Sequence, residues 1–255
     1  MNVLLVGCGN FGRRWLDAIR LSSLVSHIDI VDPNYSPKGH EYPFTKFYDS
    51  LKDSSIHHHY NLIINCVNAK ERTSVIQDCS ELGITCDTLV LEKVLSQSLY
   101  DLQTLSSLTI SKRTYVNYNM RYQSVISQIK SPKSFFVDLG PFDMASNIFH
   151  YIDLAEKLFS SQLLNIDLTN LSPSWSVSKK RPQFKTVNGI VRAVLTNGTE
   201  IVLQSIGSLQ PCIIITTEHD DIYEINENLS TVKIRNNFNT LQTPLVQKWN
   251  HFSKF

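Results

Sequence analysis

The chain lacks any CxxC pair, and its five cysteines, Cys8, Cys66, Cys79, Cys86 and Cys212, are odd in number. A disulfide framework and a structural zinc site of cysteines are thereby excluded, and the cysteines read as small buried residues of a reduced compartment. Charge of one sign is also missing: 24 Lys and Arg stand against 23 Asp and Glu, for a formal net charge of +1. Such a balance gives no general attraction to nucleic acid or to a membrane surface, so neither is an expected partner and a small molecule is. No apolar run approaches the ~20 residues a spanning helix needs. The apolar run at the amino end is too short for a secretory h-region, has no basic leader and is already used as a strand, which predicts a cytoplasmic protein. With 255 residues there is room for a sizeable core and for two domains.

What is present begins at once. Val3-Leu4-Leu5-Val6 runs into Gly7-Cys8-Gly9-Asn10-Phe11-Gly12, and Ile28-Asp29-Ile30-Val31 ends in Asp32. The segment from Asn10 to Leu24 carries Phe11, Trp15, Ala18 and Ile19 at helical spacing. A strand, a glycine turn, a helix and a second strand ending in an acid form a dinucleotide-binding series. Gly7 permits the tight turn, Gly9 lets phosphates approach where a Cβ would clash, and Gly12 lets helix and strand pack closely. Gly7, Gly9, Asn10, Phe11 and Gly12 are therefore cofactor candidates. Asp32 can accept hydrogen bonds from ribose hydroxyls and repels a 2′-phosphate, and it is followed by Pro33, Asn34 and Tyr35 rather than by a cation. This favours NAD over NADP.

Strand-like runs continue at Leu62–Cys66, Thr88–Leu91 and Tyr115–Asn117, alternating with helical segments, with Phe44–Phe47 as a short strand and Ser50–Ser54 as a short helix. The pattern predicts a doubly wound parallel α/β sheet over residues 1–118. Residues 119–255 change character, with a strand at Ser134–Leu139, a helix at Asp143–Phe159 and then six strands from Leu163 to Ile234, two of them joined through Asn197-Gly198. That predicts an α+β domain with a mainly antiparallel open sheet, suited to substrate binding and oligomerisation. His57-His58-His59 reads as a solvated loop, because adjacent side chains cannot all turn to one ion, and no metal site is expected. Lys179-Lys180-Arg181-Pro182 reads as a loop, with phosphate or uronate recognition as the minority alternative.

Three further segments follow in order. Leu62-Ile63-Ile64-Asn65-Cys66-Val67-Asn68 resembles an apolar strand followed by T-P-N, Val90-Leu91-Glu92-Lys93-Val94 resembles an E-K-P motif, and His150-Tyr151-Ile152-Asp153-Leu154-Ala155 resembles an H-x-x-D-x-A helix. With Asn117-Tyr118-Asn119-Met120-Arg121-Tyr122 between them, the chain resembles a short member of the glucose-fructose oxidoreductase, inositol dehydrogenase and rhizopine catabolism (Gfo/Idh/MocA) family. The resemblance implies an NAD-dependent oxidoreductase that moves hydride between nicotinamide and a hydroxyl or keto carbon of a sugar, sugar nucleotide or cyclitol. It implies that Asn65, Cys66, Asn68, Glu92 and Lys93 contact the cofactor. Lys93 then steadies the developing oxyanion and His150 exchanges the proton, histidine being the side-chain type whose unperturbed pKa lies near working pH. Asn119, Arg121, Tyr122, Asn147 and His150 become substrate candidates, although Arg121 and Tyr122 read equally as helix-start contacts. A homodimer or homotetramer is implied as well.

The chain departs from the pattern in three places, the first being Cys66-Val67-Asn68, which keeps only the Asn of T-P-N. Ser146 stands where the family commonly has an Asp four residues before the His; Asn147 points about a quarter turn away on a helix, and Asp143 lies two turns off. Val94 replaces the proline of E-K-P, which predicts a less constrained turn. These departures keep two alternatives open: an NAD-binding regulatory or assembly protein without turnover, and a reductase of a tetrapyrrole or an imine.

Overall fold

The structure, a computed structural model, describes residues 1–35, 44–53, 55–140, 144–177, 185–205, 211–226, 231–236 and 240–244. Among these, Met1–Asn117 form one compact unit and the residues from Tyr118 onward a second. No described helix is long and apolar enough to cross a membrane.

The first unit is a parallel sheet of β1 (Asn2–Val6), β2 (His27–Val31), β3 (Thr45–Tyr48), β4 (His59–Asn65), β5 (Thr85–Leu91) and β6 (Ser111–Val116), in the order β3-β2-β1-β4-β5-β6. The order reverses between β1 and β4, which is where a doubly wound sheet opens a crevice at the carboxyl ends of its strands. Continuous apolar runs are needed here because both faces are covered. Val3, Leu5, Ile28, Ile30, Leu62 and Ile64 pack on one face with Leu16 and Ile19 of α1 (Asn10–Arg20). Leu4, Val6, Val31, Tyr60 and Ile63 pack on the other with Ile76 of α2 (Ala69–Glu81) and Leu105 of α3 (Leu99–Ser107).

Two expected elements come out differently. Helix α1 stops at Arg20 rather than Leu24, because Ser22 Oγ accepts the Leu24 N–H at 3.3 Å and so offers the backbone an alternative to the helix. Residues 50–53 form no helix, and Ser54 lies outside the described residues: Ser50 Oγ accepts the Lys52 N–H at 3.2 Å and Asp53 Oδ1 accepts the Ser55 N–H at 2.9 Å, closing successive side-chain turns.

The second unit holds an eight-stranded sheet of β7 (Pro132–Asp138), β8 (Leu163–Asp167), β11 (Gly189–Leu195), β12 (Glu200–Ser205), β13 (Cys212–Thr217), β14 (Ile222–Asn226), β15 (Thr231–Arg235) and β16 (Thr240–Pro244). A separate pair, β9 (Ser176–Val177) and β10 (Lys185–Thr186), and β16 have no counterpart in the sequence reading. The order is β16-β15-β14-β13-β7-β12-β11-β8, antiparallel throughout except for the parallel β7–β12 pair. Burial alternates strictly along β11, β12 and β13, as one-sided covering requires. The covered face carries Phe135, Val137, Val191, Ala193, Ile201, Leu203 and Ile213 against Met144, Ile148, Tyr151 and Ala155 of α4 (Met144–Phe159). Asn197-Gly198 makes the expected hairpin between β11 and β12: Gly198 has φ +85° and donates its N–H to Leu195 O at 2.9 Å. Lys179–Pro182 and Asp143 lie outside the described residues.

Phe135, 2% exposed, sits at the centre of this second core. Phe135→Ala should cost ~3–5 kcal/mol through lost burial and the cavity left behind. Urea unfolding followed by circular dichroism reads this as a lower midpoint with an unchanged slope.

Candidate functional site

At the carboxyl edge of the parallel sheet the three glycines of the opening motif face three different surroundings. Gly7 has φ +85°, and a Cβ on it would lie 2.9 Å from the Val67 nitrogen. At Gly12 a Cβ would lie 2.0 Å from the Gly7 carbonyl oxygen, so helix α1 can approach β1 this closely only without a side chain there. At Gly9 a Cβ would meet no described atom within 4 Å. Gly9 is the N-cap of α1, which has neither a side-chain cap nor an acidic residue in its first turn. The leading N–H groups of the helix thus border open space, with the positive end of the helix dipole behind them. Asn10 opens the helix, and Phe11, 36% exposed, lies under the Arg14 guanidinium, 5.4 Å from its centroid.

Asp32 follows β2 and is tied to this turn. Its Oδ2 accepts the Cys8 N–H at 2.6 Å and its Oδ1 the Asn34 N–H at 2.8 Å. A carboxylate has about four lone-pair positions, so capacity for further donors remains. Beside it opens a cleft of ≈ 450 Å³ lined by Asp32, Asn34, Tyr35, Phe47, Asp49 and Asp53. Tyr35 stacks on Phe47 with centroids 5.5 Å apart, and the Arg13 guanidinium lies 5.4 Å from the Tyr35 centroid.

The ends of β4 and β5 supply the next group. Asn65 is fully buried; its Oδ1 accepts the Val67 N–H at 3.2 Å, while its Nδ2 has no hydrogen-bond partner among the described residues. A buried amide donor left open in this way suits a ligand acceptor. Cys66 follows, and burial, with Glu92 adding to it, pushes its thiol well above the ordinary range. Burial and the charge of Asp32 likewise push Cys8 up to about 11. Both are protonated near neutral pH and neither is an activated nucleophile. Asn68 is exposed at the N-cap of α2.

Glu92, 5% exposed, is committed to neighbours: its Oε1 accepts Trp15 Nε1–H at 2.9 Å and Asn117 Nδ2–H at 2.6 Å. It thereby joins α1, the end of β5 and the end of β6. Lys93, half-buried, is the next residue, and the Lys93–Val94 peptide bond is cis. The turn is not the loose one that Val94 in place of proline predicts. Arg72, 2% exposed on α2, donates Nη1 to the carbonyls of Val94 and of Leu95 and Nη2 to Val67 O at 2.7 Å. One guanidinium therefore braces the loop after β4 against the loop after β5. Burial lowers the Arg72 pKa, with nearby Glu92 pulling the other way. Arg72 was not singled out from the sequence, where the sole signal was an arginine at a core-facing position of a helix, and Trp15 and Asn117 were named there for helical spacing and for a family-like segment, not as partners of Glu92.

The remaining candidates, Asn119, Arg121, Tyr122, Asn147 and His150, belong to the second unit. Asn119–Tyr122 form a single 3-10 turn. Arg121 is committed there: Nε donates to Asp153 Oδ2 at 2.8 Å and Nη2 lies 2.8 Å from Oδ1, a bidentate pair across to α4. Burial raises the Asp153 carboxyl, and Arg121 acts to lower it. The helix-start reading of Arg121 is thus the one its contacts favour, and Asp153 is its orienting partner. Tyr122 is 47% exposed. Asn147 and His150 are half-buried on α4, and the His150 ring meets Tyr118 edge-on with centroids 5.9 Å apart. Burial, with the charges of Asp153 and Glu156 adding to it, raises the Tyr118 phenol, which therefore stays neutral at physiological pH.

No protein-family model and no curated protein matches the sequence. Solved structures do match. UDP-N-acetylglucosamine 3-dehydrogenase GnnA from Acidithiobacillus ferrooxidans gives a TM-score of 0.67 at 12% identity, covering 97% of this chain and 84% of that one. The transcriptional regulator Gal80p from Kluyveromyces lactis gives 0.69 at 13% identity, covering 97% and 78%. The WlbA dehydrogenase from Bordetella pertussis, solved with NADH and UDP-GlcNAcA, gives 0.65 at 12% identity, covering 88% and 77%. At these identities it is the fold that is shared, that of the Gfo/Idh/MocA-type dehydrogenases.

The glycine surroundings set up a contrast. Gly12→Ala should destabilise the first unit by ~3 kcal/mol or more, since backbone has to move to admit the methyl group. Gly9→Ala, which enters open space, should stay within ~1 kcal/mol of the parent, and thermal unfolding of the two variants side by side checks the difference.

Proposed function

We propose that the chain binds a nicotinamide dinucleotide along Gly7–Gly12 and catalyses hydride transfer to or from a hydroxyl or keto carbon of a carbohydrate-derived substrate. The observation that carries this reading is the open space over Gly9 at the uncapped amino end of α1, with the Asp32 carboxylate tied to the same turn through the Cys8 N–H. The residues present fit such a group. Backbone N–H groups of Asn10 and Phe11 would meet the pyrophosphate, and Asp32 would take the adenosine ribose hydroxyls with the lone pairs left by Cys8 and Asn34. The open amide of Asn65 and the exposed Asn68 would contact the remainder of the dinucleotide. NAD is favoured over NADP because a 2′-phosphate would meet the charge of Asp32, with Asp49 and Asp53 lining the same cleft. When bound, the nicotinamide supplies the hydride acceptor or donor.

The chain's own residues then have to manage the substrate oxygen. As a secondary alcohol loses hydride, carbonyl character builds at carbon and the hydroxyl proton must leave. The Lys93 ammonium steadies the oxygen by hydrogen bonding, and the His150 imidazole takes the proton, returning it in the reverse direction. Arg72 contributes by fixing the loop that carries Lys93, and Glu92 by fixing that loop to α1 and β6. The UDP-sugar in the WlbA structure and the name of GnnA support a sugar nucleotide as the first substrate class to try.

A second reading, dinucleotide binding without turnover, has support of its own. Ser146 cannot supply the charge that an Asp one helical turn before His150 would, and Gal80p, a transcriptional regulator, shares the fold.

Lys93→Met separates the readings. If the lysine acts on substrate oxygen, NAD should bind within about threefold of the parent while hydride transfer, followed by nicotinamide absorbance over a panel of sugars and sugar nucleotides, falls by at least ~10²-fold, one electrostatic donor's worth. Equal loss of binding and turnover would make Lys93 structural, and a parent protein that binds NAD yet turns over no member of the panel would favour the regulatory reading. Asp32→Ala should weaken NAD by about 10- to 100-fold, the worth of charge-assisted hydrogen bonds to two hydroxyls, and NADP much less. Calorimetric titration with both dinucleotides reads the preference, and an unchanged ratio would remove Asp32 from its role.

A further inference from the structure

The amino edge of the parallel sheet, at the far end of the strands from the glycine loop, holds a cluster that the proposed function does not use. Asp29 on β2 is fully buried, on the face shared by Leu4 and Tyr60. Its Oδ1 accepts from His27 Nε2 at 2.8 Å and its Oδ2 from the Tyr60 hydroxyl at 2.6 Å. Tyr60 Oη in turn accepts the His57 N–H at 3.1 Å, so one phenol holds both the carboxylate and the segment that carries His57. The His57 ring stands edge-on to His27, with centroids 5.1 Å apart, and edge-on to Tyr60 at 5.9 Å. A carboxylate taken entirely out of water needs polar partners, and those it has here are the His27 imidazole and the Tyr60 phenol.

We propose that His27, Asp29 and His57 form a binding site for a divalent transition-metal ion of the zinc type. One ligand atom from each residue lies within 4.8 Å of the other two. Ligands of a tetrahedral zinc ion, each ~2.0–2.2 Å from the metal, stand ~3.3 Å apart, so closure requires shifts of about an ångström. Those shifts are small ones: His57 is exposed on one side, so its ring can turn from the edge contacts it makes, and the His27–Asp29 contact only has to open slightly. The same exposure gives the ion its entry path. Two imidazole nitrogens and one carboxylate oxygen favour zinc, cobalt or nickel over calcium or magnesium, and three protein ligands leave a fourth position for water. The Tyr60 hydroxyl on the second oxygen of Asp29 orients the ligating carboxylate, the kind of outer contact that metal-bound carboxylates have. Ligation through Nε2 calls for the His27 tautomer with its proton on Nδ1.

The three side chains of His57-His58-His59 meet different surroundings. His58 is exposed, and His59 turns to the neighbouring strand, with Nδ1 3.0 Å from Thr85 Oγ1 and Nε2 3.7 Å from Asp87. Only His57 enters, and its partners come from β2, thirty residues earlier in the chain by the 57 − 27 spacing. A bound ion would tie the start of β2 to the segment ahead of β4 and stabilise the first unit by mass action.

The test uses the full-length protein stripped with a chelator and titrated with Co²⁺ and Zn²⁺. The proposal expects one ion per chain, the visible d–d absorption of cobalt in a low-symmetry nitrogen and oxygen site, and a rise in melting temperature with Zn²⁺. His57→Ala, a change at an exposed side chain, should abolish the cobalt spectrum and weaken Zn²⁺ at least about tenfold, the loss of one of three protein ligands. His58→Ala should bind as the parent does, and NAD binding should be unchanged in both variants. Failure to take up one equivalent, or a His57→Ala protein that binds as tightly as the parent, would overturn the site and leave Asp29 held by His27 and Tyr60 alone.

Discussion

The approach of helix α1 to the turn after β1 is the constraint on which the first unit depends. With a Cβ on Gly12 only 2.0 Å from the Gly7 oxygen, no other residue lets the helix begin so close to the strand. Because it begins there, its first N–H groups are spent on no side chain and face the open space over Gly9. Asp32 reaches back from the neighbouring strand to the Cys8 N–H, fixing the turn, and also lines the adjoining cleft. Packing and binding chemistry are thus one arrangement seen from two sides: what permits the contact also leaves the donors uncovered.

A second constraint organises the next two strand ends. Arg72, buried on α2, donates to carbonyls of Val67, Val94 and Leu95, and Glu92 receives Trp15 and Asn117. Each charged side chain is buried and bonded to partners from different elements, Arg72 through Nη1 and Nη2 and Glu92 through Oε1, which makes it costly to move any of the loops alone. Lys93 is carried on the loop so braced. In the second unit the Arg121–Asp153 pair does comparable work, joining the 3-10 turn at Asn119–Tyr122 to α4, the helix of His150.

How legible this was differs residue by residue. Gly7, Gly9 and Gly12 could be given separate tasks in advance, since the requirements of a turn, a close ligand and a close helix follow from the strand-to-helix spacing alone. Helix ends were less legible, because Ser22 and Ser50 take backbone donors by local hydrogen bonds that compete with a helical pattern. Arg72 was not legible at all. Nothing in its neighbours along the chain says that three carbonyls from two loops will converge on it. The same is true of Asp29, which reads as one polar residue in an apolar strand until Tyr60 and His27 are brought to its two oxygens.

By itself, then, the sequence determined the doubly wound sheet, the antiparallel second sheet under one helix, and the glycine turn with its acid. Each of these is written in short-range periodicity and in backbone requirements that act within a few residues. The tertiary structure alone decided which partners Glu92, Arg72 and Arg121 brace, and which histidine of His57-His58-His59 stands beside His27 and Tyr60. Those outcomes rest on atoms brought together from distant parts of the chain, where burial sets the cost of an unpartnered polar group and spacing along the chain carries no record of the partner.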